Sequence, residues 1–362
     1  MNLKDRLQKL RQGLVSKEID AIFVSQPENR HYLSGFDGSS GYLLITPRKA
    51  ILATDFRYIE QAKTQAPDYD IFKITHNLEE WFPQLTAEPG LSKLGFEAGH
   101  ITFALHRQLS DILSKVQSRL RLVPVDALVE SLRAVKEPEE IELITRAVEI
   151  SDAAFEYTVN IIHAGMSEIE VAWDIEKFMR QQGSQTIPFD VIVAAGPNSA
   201  LPHAKPSPRK IRPGEPVVID IGARVSGYSS DLSRTICLGS ADDTFSKVYD
   251  TVLKAQLASM TAIKEGITSQ EADSIAREVI EQAGYGEAFG HGLGHGVGLA
   301  MHEKPRLGPG STEVLTSGMV FTIEPGIYLT GWGGVRIEDP AVMEHGKIRV
   351  LSKAQKIGNI RS

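Results

Sequence analysis

The chain contains a single cysteine, Cys237, among 362 residues, so no intrachain disulfide can form, and such low usage fits a reducing compartment. It also lacks any apolar run approaching the ~18 residues of a membrane-spanning helix. Its opening segment, MNLKDRLQKLRQGL, has no continuous apolar stretch of the secretory kind. A cytoplasmic protein without a membrane partner is the expectation. No long basic run is present, and 46 acidic against 39 basic residues leave a formal charge of -7. Such a surface is poorly suited to tracking phosphates, which argues against nucleic acid as a partner.

What the chain does have is an ordinary globular composition, 42% hydrophobic and 23% charged. Its length predicts two domains. In the first ~120 residues, β-type runs (AIFVS, GYLLIT, AILAT) alternate with helical stretches, the pattern of a small α/β domain. Leu3, Leu7, Leu10 and Leu14 fall at helical spacing and predict an amphipathic helix with one buried stripe. Asp55, Arg57 and Tyr58, in TDFRY, are read as a solvated turn with a packed aromatic. The pattern changes to a long helical period between residues 122 and 134, which predicts domains at 1–125 and 134–362.

The second domain repeats itself. GMSEIEVAWDIEKFMRQQG from Gly165 and GITSQEADSIAREVIEQAG from Gly266 share an opening glycine and a Ser167/Glu170 or Thr268/Glu271 capping box. A helical stretch precedes each copy (139–163 and 243–264), and a strand-rich acidic segment follows (217–238 and 319–343). An α+β domain with a pseudo-twofold internal repeat is expected, with a cleft where the halves meet.

Chemistry gathers in that domain. In VVIDIGARVSGYSSDLSRTICLG two β-type runs flank a turn, and a turn centred between Val225 and Ser226 sets Asp220 opposite Asp231. Directly opposed Cβ atoms lie about 4.5–5.5 Å apart, so the two carboxylates would repel unless a cation lay between them. FGHGLGHGVGLAMHE places His291, His295 and His302, three of ten histidines, within twelve positions among glycines that permit close backbone approach. The glycines do not make a phosphate loop, because no GK[ST] ending follows. Glu324 in VFTIEPGIYL and Glu338 in GGVRIEDPAVM lie in apolar runs where an unpaired carboxylate is costly. Arg336, two residues before Glu338, is either its salt-bridge partner or a group that orients substrate. Four carboxylates and an imidazole form a hard donor set, too acidic for one ion and suited to two divalent ions, Mn²⁺, Co²⁺, Fe²⁺ or Zn²⁺. The implied reaction is hydrolysis.

In this order, VVIDIGA, SSDLSRT, HGLGHGVGL, FTIEPGIY and VRIED resemble the M24-type metallopeptidase family of methionine aminopeptidase, aminopeptidase P and prolidase. The resemblance implies a "pita-bread" fold for the C-terminal domain and two metal ions, foremost Mn²⁺. By the same resemblance Asp220 binds one ion, His295 and Glu324 bind the other, and Asp231 and Glu338 bridge them. It implies further that His203, in PNSALPHAKP, contacts substrate or the tetrahedral intermediate. His291 and His302 would line the pocket, Glu324 would double as general base, and Arg336 would hold the network. The separate N-terminal domain resembles aminopeptidase P and prolidase rather than the shorter methionine aminopeptidases, which implies Xaa-Pro peptides as substrates. TDFRY and GFDGSSG look more like aminopeptidase P, so an Xaa-Pro aminopeptidase is expected, with an Xaa-Pro dipeptidase (prolidase) as the alternative. A homodimer is expected from the family and from the frequency of twofold assemblies. A creatinase-type enzyme and a non-catalytic binding protein on the same fold are disfavoured by the complete ligand set.

Overall fold

The computed structural model describes residues 2–360, which divide into two compact units that meet in sequence between Arg133 and Ala134. In the first, six strands form one mixed sheet in the order Asp70–Lys73, Ala50–Thr54, Tyr42–Ile45, Ala21–Val24, Lys93–Glu97, Arg121–Val125. Its centre pairs antiparallel as a meander and its outer pairs run parallel, which needs the helical crossovers that the sequence supplies. The helix Leu3–Ser16 buries Leu7, Leu10 and Leu14, so the leucine stripe faces the interior of the unit. Phe23, Trp81, Phe82, Leu94 and Leu109 are among the core residues under the sheet. In TDFRY, Asp55 and Arg57 form an ion pair at 2.8 Å, Tyr58 hydrogen-bonds Ser39 at 2.6 Å, and Phe56 is exposed.

The second unit consists of two halves built alike. Helices Pro138–Ile161 and Glu168–Gln181 cover strands Ile192–Ala195, Pro216–Ile221 and Leu232–Leu238; helices Asp243–Ala262 and Ser269–Gln282 cover Gly294–Gly296, Val320–Ile323 and Asp339–Glu344. Within each half the three strands pair antiparallel in chain order. Each half has its own core: Phe155, Val171, Ile175, Val217, Ile219 and Ile236 in one, Val252, Ala272, Ile280, Phe321, Ile323 and Ala341 in the other. A short hairpin interrupts each sheet, Arg224–Val225 with Tyr228–Ser229 and Gly326–Leu329 with Gly333–Arg336. No helix among the described residues is long and apolar enough to cross a membrane.

The second helix of each half starts at the predicted capping box. Ser167 Oγ accepts from the Glu170 amide at 3.3 Å while Glu170 Oε2 accepts from the Ser167 amide at 2.7 Å. Thr268 and Glu271 repeat this at 3.2 and 2.6 Å. Gly165 and Gly266 enter both turns at φ +93° and +94°, a conformation that only glycine adopts without strain. Ser167→Ala and Thr268→Ala are each expected to cost about 1 kcal/mol. Differential scanning calorimetry should show each midpoint falling by about 2–4 °C and the double variant falling by the sum.

The far end of the chain returns to the first half. Asn359–Ile360 pairs parallel with Cys237 and Leu238, while Ser352 Oγ and the Lys353 amide both donate to Asp152 at 2.6 Å. Arg234, buried in Leu232–Leu238, donates to the carbonyls of Ala354 and Gln355, to Asp339 Oδ1 at 2.6 Å and to the Glu338 carbonyl at 2.5 Å. That guanidinium thereby ties strands of both halves to the segment around residue 355.

Candidate metal centre

Strand ends deliver the acidic residues. Asp220 lies near the end of Pro216–Ile221 and Asp231 just before Leu232–Leu238; Glu324 follows Val320–Ile323 and Glu338 precedes Asp339–Glu344. Each half thus contributes two carboxylates from equivalent places. His295 is the middle residue of Gly294–Gly296. A Cβ on Gly294 would collide with the Thr322 carbonyl, and one on Gly296 with the Lys304 carbonyl, so glycine on both sides lets this strand lie tight between its neighbours.

Register corrects one expectation. Ser226 and Gly227, at φ +48° and +84°, are the central residues of the hairpin turn, with Val225 opposite Tyr228. Asp220 therefore faces Ser233 and not Asp231. The slip is two residues, and because side chains alternate with period two, both aspartates stay on one face as diagonal neighbours.

Asp231, His295 and Glu338 each offer a donor atom, and the three atoms lie within 4.8 Å of one another. His295 Nε2 is 3.4 Å from Asp231 Oδ2 and 3.3 Å from Glu324 Oε1. Arg336 does not pair with Glu338. It donates instead to Asp220 Oδ2 at 2.6 Å, to Tyr328 Oη at 2.9 Å and to Ser233 Oγ at 2.8 Å. Tyr328 Oη in turn meets His291 Nε2 at 3.0 Å. The His302 ring lies 4.2 Å, centroid to centroid, from that of His295. His203 is exposed, and its charge bears on both His291 and His302. All nine candidate residues thus belong to one region of the second unit.

Electrostatics show what the cluster calls for. Burial, then the charges of Asp220 and Glu324, push the Asp231 carboxyl well above its ordinary range. Burial, followed by Asp231, Glu324 and Asp220, does the same to Glu338. Asp220 is also raised by burial, with Arg336 opposing. Burial works against the charge of Arg336, but Tyr328 and Asp220 keep it firmly protonated. His291 and His302 are lowered, chiefly by burial, and so favour neutral imidazole. Asp220 Oδ1 and Glu338 Oε1 are buried without a hydrogen-bond partner among the described residues. One arginine cannot neutralise this many carboxylates. The donor set fits divalent cations, which would satisfy the orphaned oxygens and relieve the repulsion.

Sequence reasoning missed three supporting groups. Tyr328 bridges Arg336 and His291; Thr322 accepts from the His295 amide and donates to Glu324 Oε1 at 3.0 Å; Ser233 braces Arg336. Only Tyr328 carried a signal, a phenol in the apolar run GIYL whose hydroxyl needs a partner.

Comparison with known proteins places this geometry in context. Residues 142–345 match metallopeptidase family M24, and residues 6–135 match the creatinase/prolidase N-terminal domain. An Xaa-Pro dipeptidase of Pyrococcus furiosus is 37% identical over 363 residues, covering 98% of this chain and 99% of its own. The solved Xaa-Pro dipeptidase from Bacillus anthracis superposes with a TM-score of 0.95 at 40% identity, over 99% of this chain and 100% of that one. An X-Pro aminopeptidase from Thermotoga maritima superposes with a TM-score of 0.89 at 36% identity, over 98% and 99%.

Proposed function

The chain belongs to metallopeptidase family M24 and is a hydrolase, and from that premise we propose that it is an Xaa-Pro dipeptidase holding two divalent ions, Mn²⁺ foremost. The observation that carries the specificity is likeness along both units to Xaa-Pro dipeptidases, which favours the dipeptidase over the aminopeptidase that TDFRY and GFDGSSG suggested. The aminopeptidase stays as a second reading because the Thermotoga maritima enzyme is nearly as similar. An Xaa-Pro bond is a tertiary amide with no N–H, so a site for it must work without that donor.

In this reading Asp220, Asp231, His295, Glu324 and Glu338 hold the ions. Once bound, the ions supply Lewis-acid activation of the scissile carbonyl and of water. Glu324, its Oε1 steadied by Thr322, receives the proton of the attacking water. Arg336 fixes Asp220 from behind and, through Tyr328, the ring of His291. His203, His291 and His302 face the substrate, and the neutral imidazoles favoured at His291 and His302 suit hydrogen bonding to a carbonyl oxygen or carboxylate as charge develops. A cytoplasmic homodimer belongs to the same proposal, and the buried free Cys237 supports a reducing location.

The test is an assay of metal-stripped protein, with and without added Mn²⁺, Co²⁺ or Zn²⁺, on an Xaa-Pro dipeptide, an Xaa-Pro-Yaa tripeptide and an Xaa-Ala control. Metal-restored cleavage of the dipeptide, with the tripeptide slower by about tenfold or more, is expected. Equal or faster cleavage of the tripeptide would establish the aminopeptidase instead. Cleavage of neither proline substrate with ions bound would end the proline assignment and leave the family standing.

A further inference from the structure

Outside the carboxylate cluster, the ion pair of Lys136 and Glu303 is buried and unused by the chemistry above. Lys136 Nζ lies 2.9 Å from Glu303 Oε1, with side-chain exposures of 1% and 5%. Taking both charges out of water costs several kcal/mol per ion, and a well-packed apolar pair is often as stable, so such a pair is weak evidence for stability. Its position points to another use. Glu303 directly follows His302 and opens the strand Glu303–Leu307, where its backbone faces Gly296 across a bulge beside His295. Its Oε2 accepts from the Ala300 amide at 3.2 Å, and the Gly298 amide donates to the Ala300 carbonyl at 3.1 Å. Gly298 has no room for a side chain, because its Cβ would stand 2.5 Å from Glu303 Oε1. The Glu303 carboxylate thus closes the loop from Gly296 to Glu303 on itself, while the Ser229 amide holds it from outside by donating to the Gly298 carbonyl at 2.8 Å. The lysine that holds this carboxylate is itself held, its Nζ by the Ala134 carbonyl at 3.2 Å and its amide by the Gly318 carbonyl at 2.8 Å.

We propose that Lys136 and Glu303 are positioning residues that fix the loop carrying His302, and so set that imidazole against the His295 ring and toward the substrate. The inference rests on the assignment of His302 to the substrate pocket. Neither residue touches the reacting atoms. Their effect passes through His302; Asp231 and Glu338 are supported by other strands, while the His295 strand pairs with both Glu303–Leu307 and Val320–Ile323, so metal content reads whether His295 is disturbed.

A double-mutant cycle on the Mn²⁺-reconstituted full chain tests this. Lys136→Met and Gly298→Ala, the latter displacing the Glu303 carboxylate while keeping both charges, are expected to retain wild-type metal content by elemental analysis. Each is expected to lower kcat/KM on an Xaa-Pro dipeptide by about 10- to 100-fold, the scale of a misplaced active-site group. The division between kcat and KM should match that of His302→Ala, and adding Lys136→Met to His302→Ala should cost less than a further twofold. Multiplied losses, or wild-type kinetics in both Lys136→Met and Gly298→Ala, would overturn the positioning role and leave the His302 assignment intact. A wild-type rate in His302→Ala would overturn both together, leaving the metallopeptidase reading untouched. If Lys136→Met fails to fold, Lys136→Met/Glu303→Leu removes both charges of the pair and is expected to give the same kinetics.

Discussion

Asp231→Asn is expected to abolish metal-dependent turnover and yet make the metal-free protein more stable. The lost activity follows from its place, with an oxygen within reach of both His295 and Glu338. If Asp231 is shared by two ions, as proposed, losing its charge should cost several kcal/mol of transition-state stabilisation, a fall of about 10³-fold or more. The gain in stability follows from the same crowding. In metal-free protein Asp231 is held above its ordinary range by burial and by Asp220 and Glu324. A carboxyl raised on folding binds more protons in the native state than in the unfolded one. Its contribution is therefore full below the unfolded value and is lost as pH rises through the folded value. Glu338 acts in the same sense. The thermal midpoint of stripped wild-type protein should climb as pH falls from 7 toward 5, whereas Asp231→Asn should start higher and change less. Calorimetry with and without chelator across that window is the measurement. Undiminished activity of the variant, or a stripped wild type indifferent to pH, would remove Asp231 from the centre of the charge cluster.

The second large effect is expected at Arg336. Arg336→Met should destabilise metal-free protein by about 3–5 kcal/mol, the scale for deleting one member of a buried pair, because Asp220 is left without its cation. Arg336→Lys should rescue little, since Asp220, Tyr328 and Ser233 take hydrogen bonds from three different nitrogens of a planar fork. In urea titrations the midpoint should fall with an unchanged slope, and Asp220→Asn added to Arg336→Met should restore most of the loss. Saturation with Mn²⁺ should narrow the gap, because Asp220 then has another positive neighbour. A loss under 1 kcal/mol in the single variant would mean that Asp220 is neutral in the folded, metal-free protein.

How much of this was legible in the sequence depended on whether the cause was local. The capping boxes at Ser167/Glu170 and Thr268/Glu271 are satisfied within one turn of chain, so they revealed both helix starts and, with them, the repeated halves. Of the five proposed donors, Asp220, Glu324 and Glu338 stand in or beside short apolar runs, which made them conspicuous as acids, Asp231 was read from its pairing with Asp220, and His295 from its flanking glycines. The hairpin register was misread by placing the turn one residue early. Ser-Gly at 226–227 was the available cue, since a tight two-residue turn needs positive φ at both centres. The error did no chemical damage because a two-residue slip preserves the face. Arg336 illustrates what could not be read. Spacing offered Glu338 as a partner, but Arg336 reaches Asp220, 116 positions away, through packing that no local pattern encodes. Peptide length preference was illegible for a related reason, because it depends on what closes the cleft rather than on residues that cleave.

The return of residues 352–360 to the first half has a consequence for how the molecule is made. The sheet holding Asp220 and Asp231 gains its last strand, and Arg234 its last acceptors, from a segment translated more than a hundred residues later. Synthesis therefore runs ahead of assembly. Until the second half emerges, the first half has one sheet edge without its partner strand and Arg234 without its acceptors at Ala354 and Gln355. Glu324 and Glu338 come from the second half, so the four carboxylates can meet only once that half too has been made.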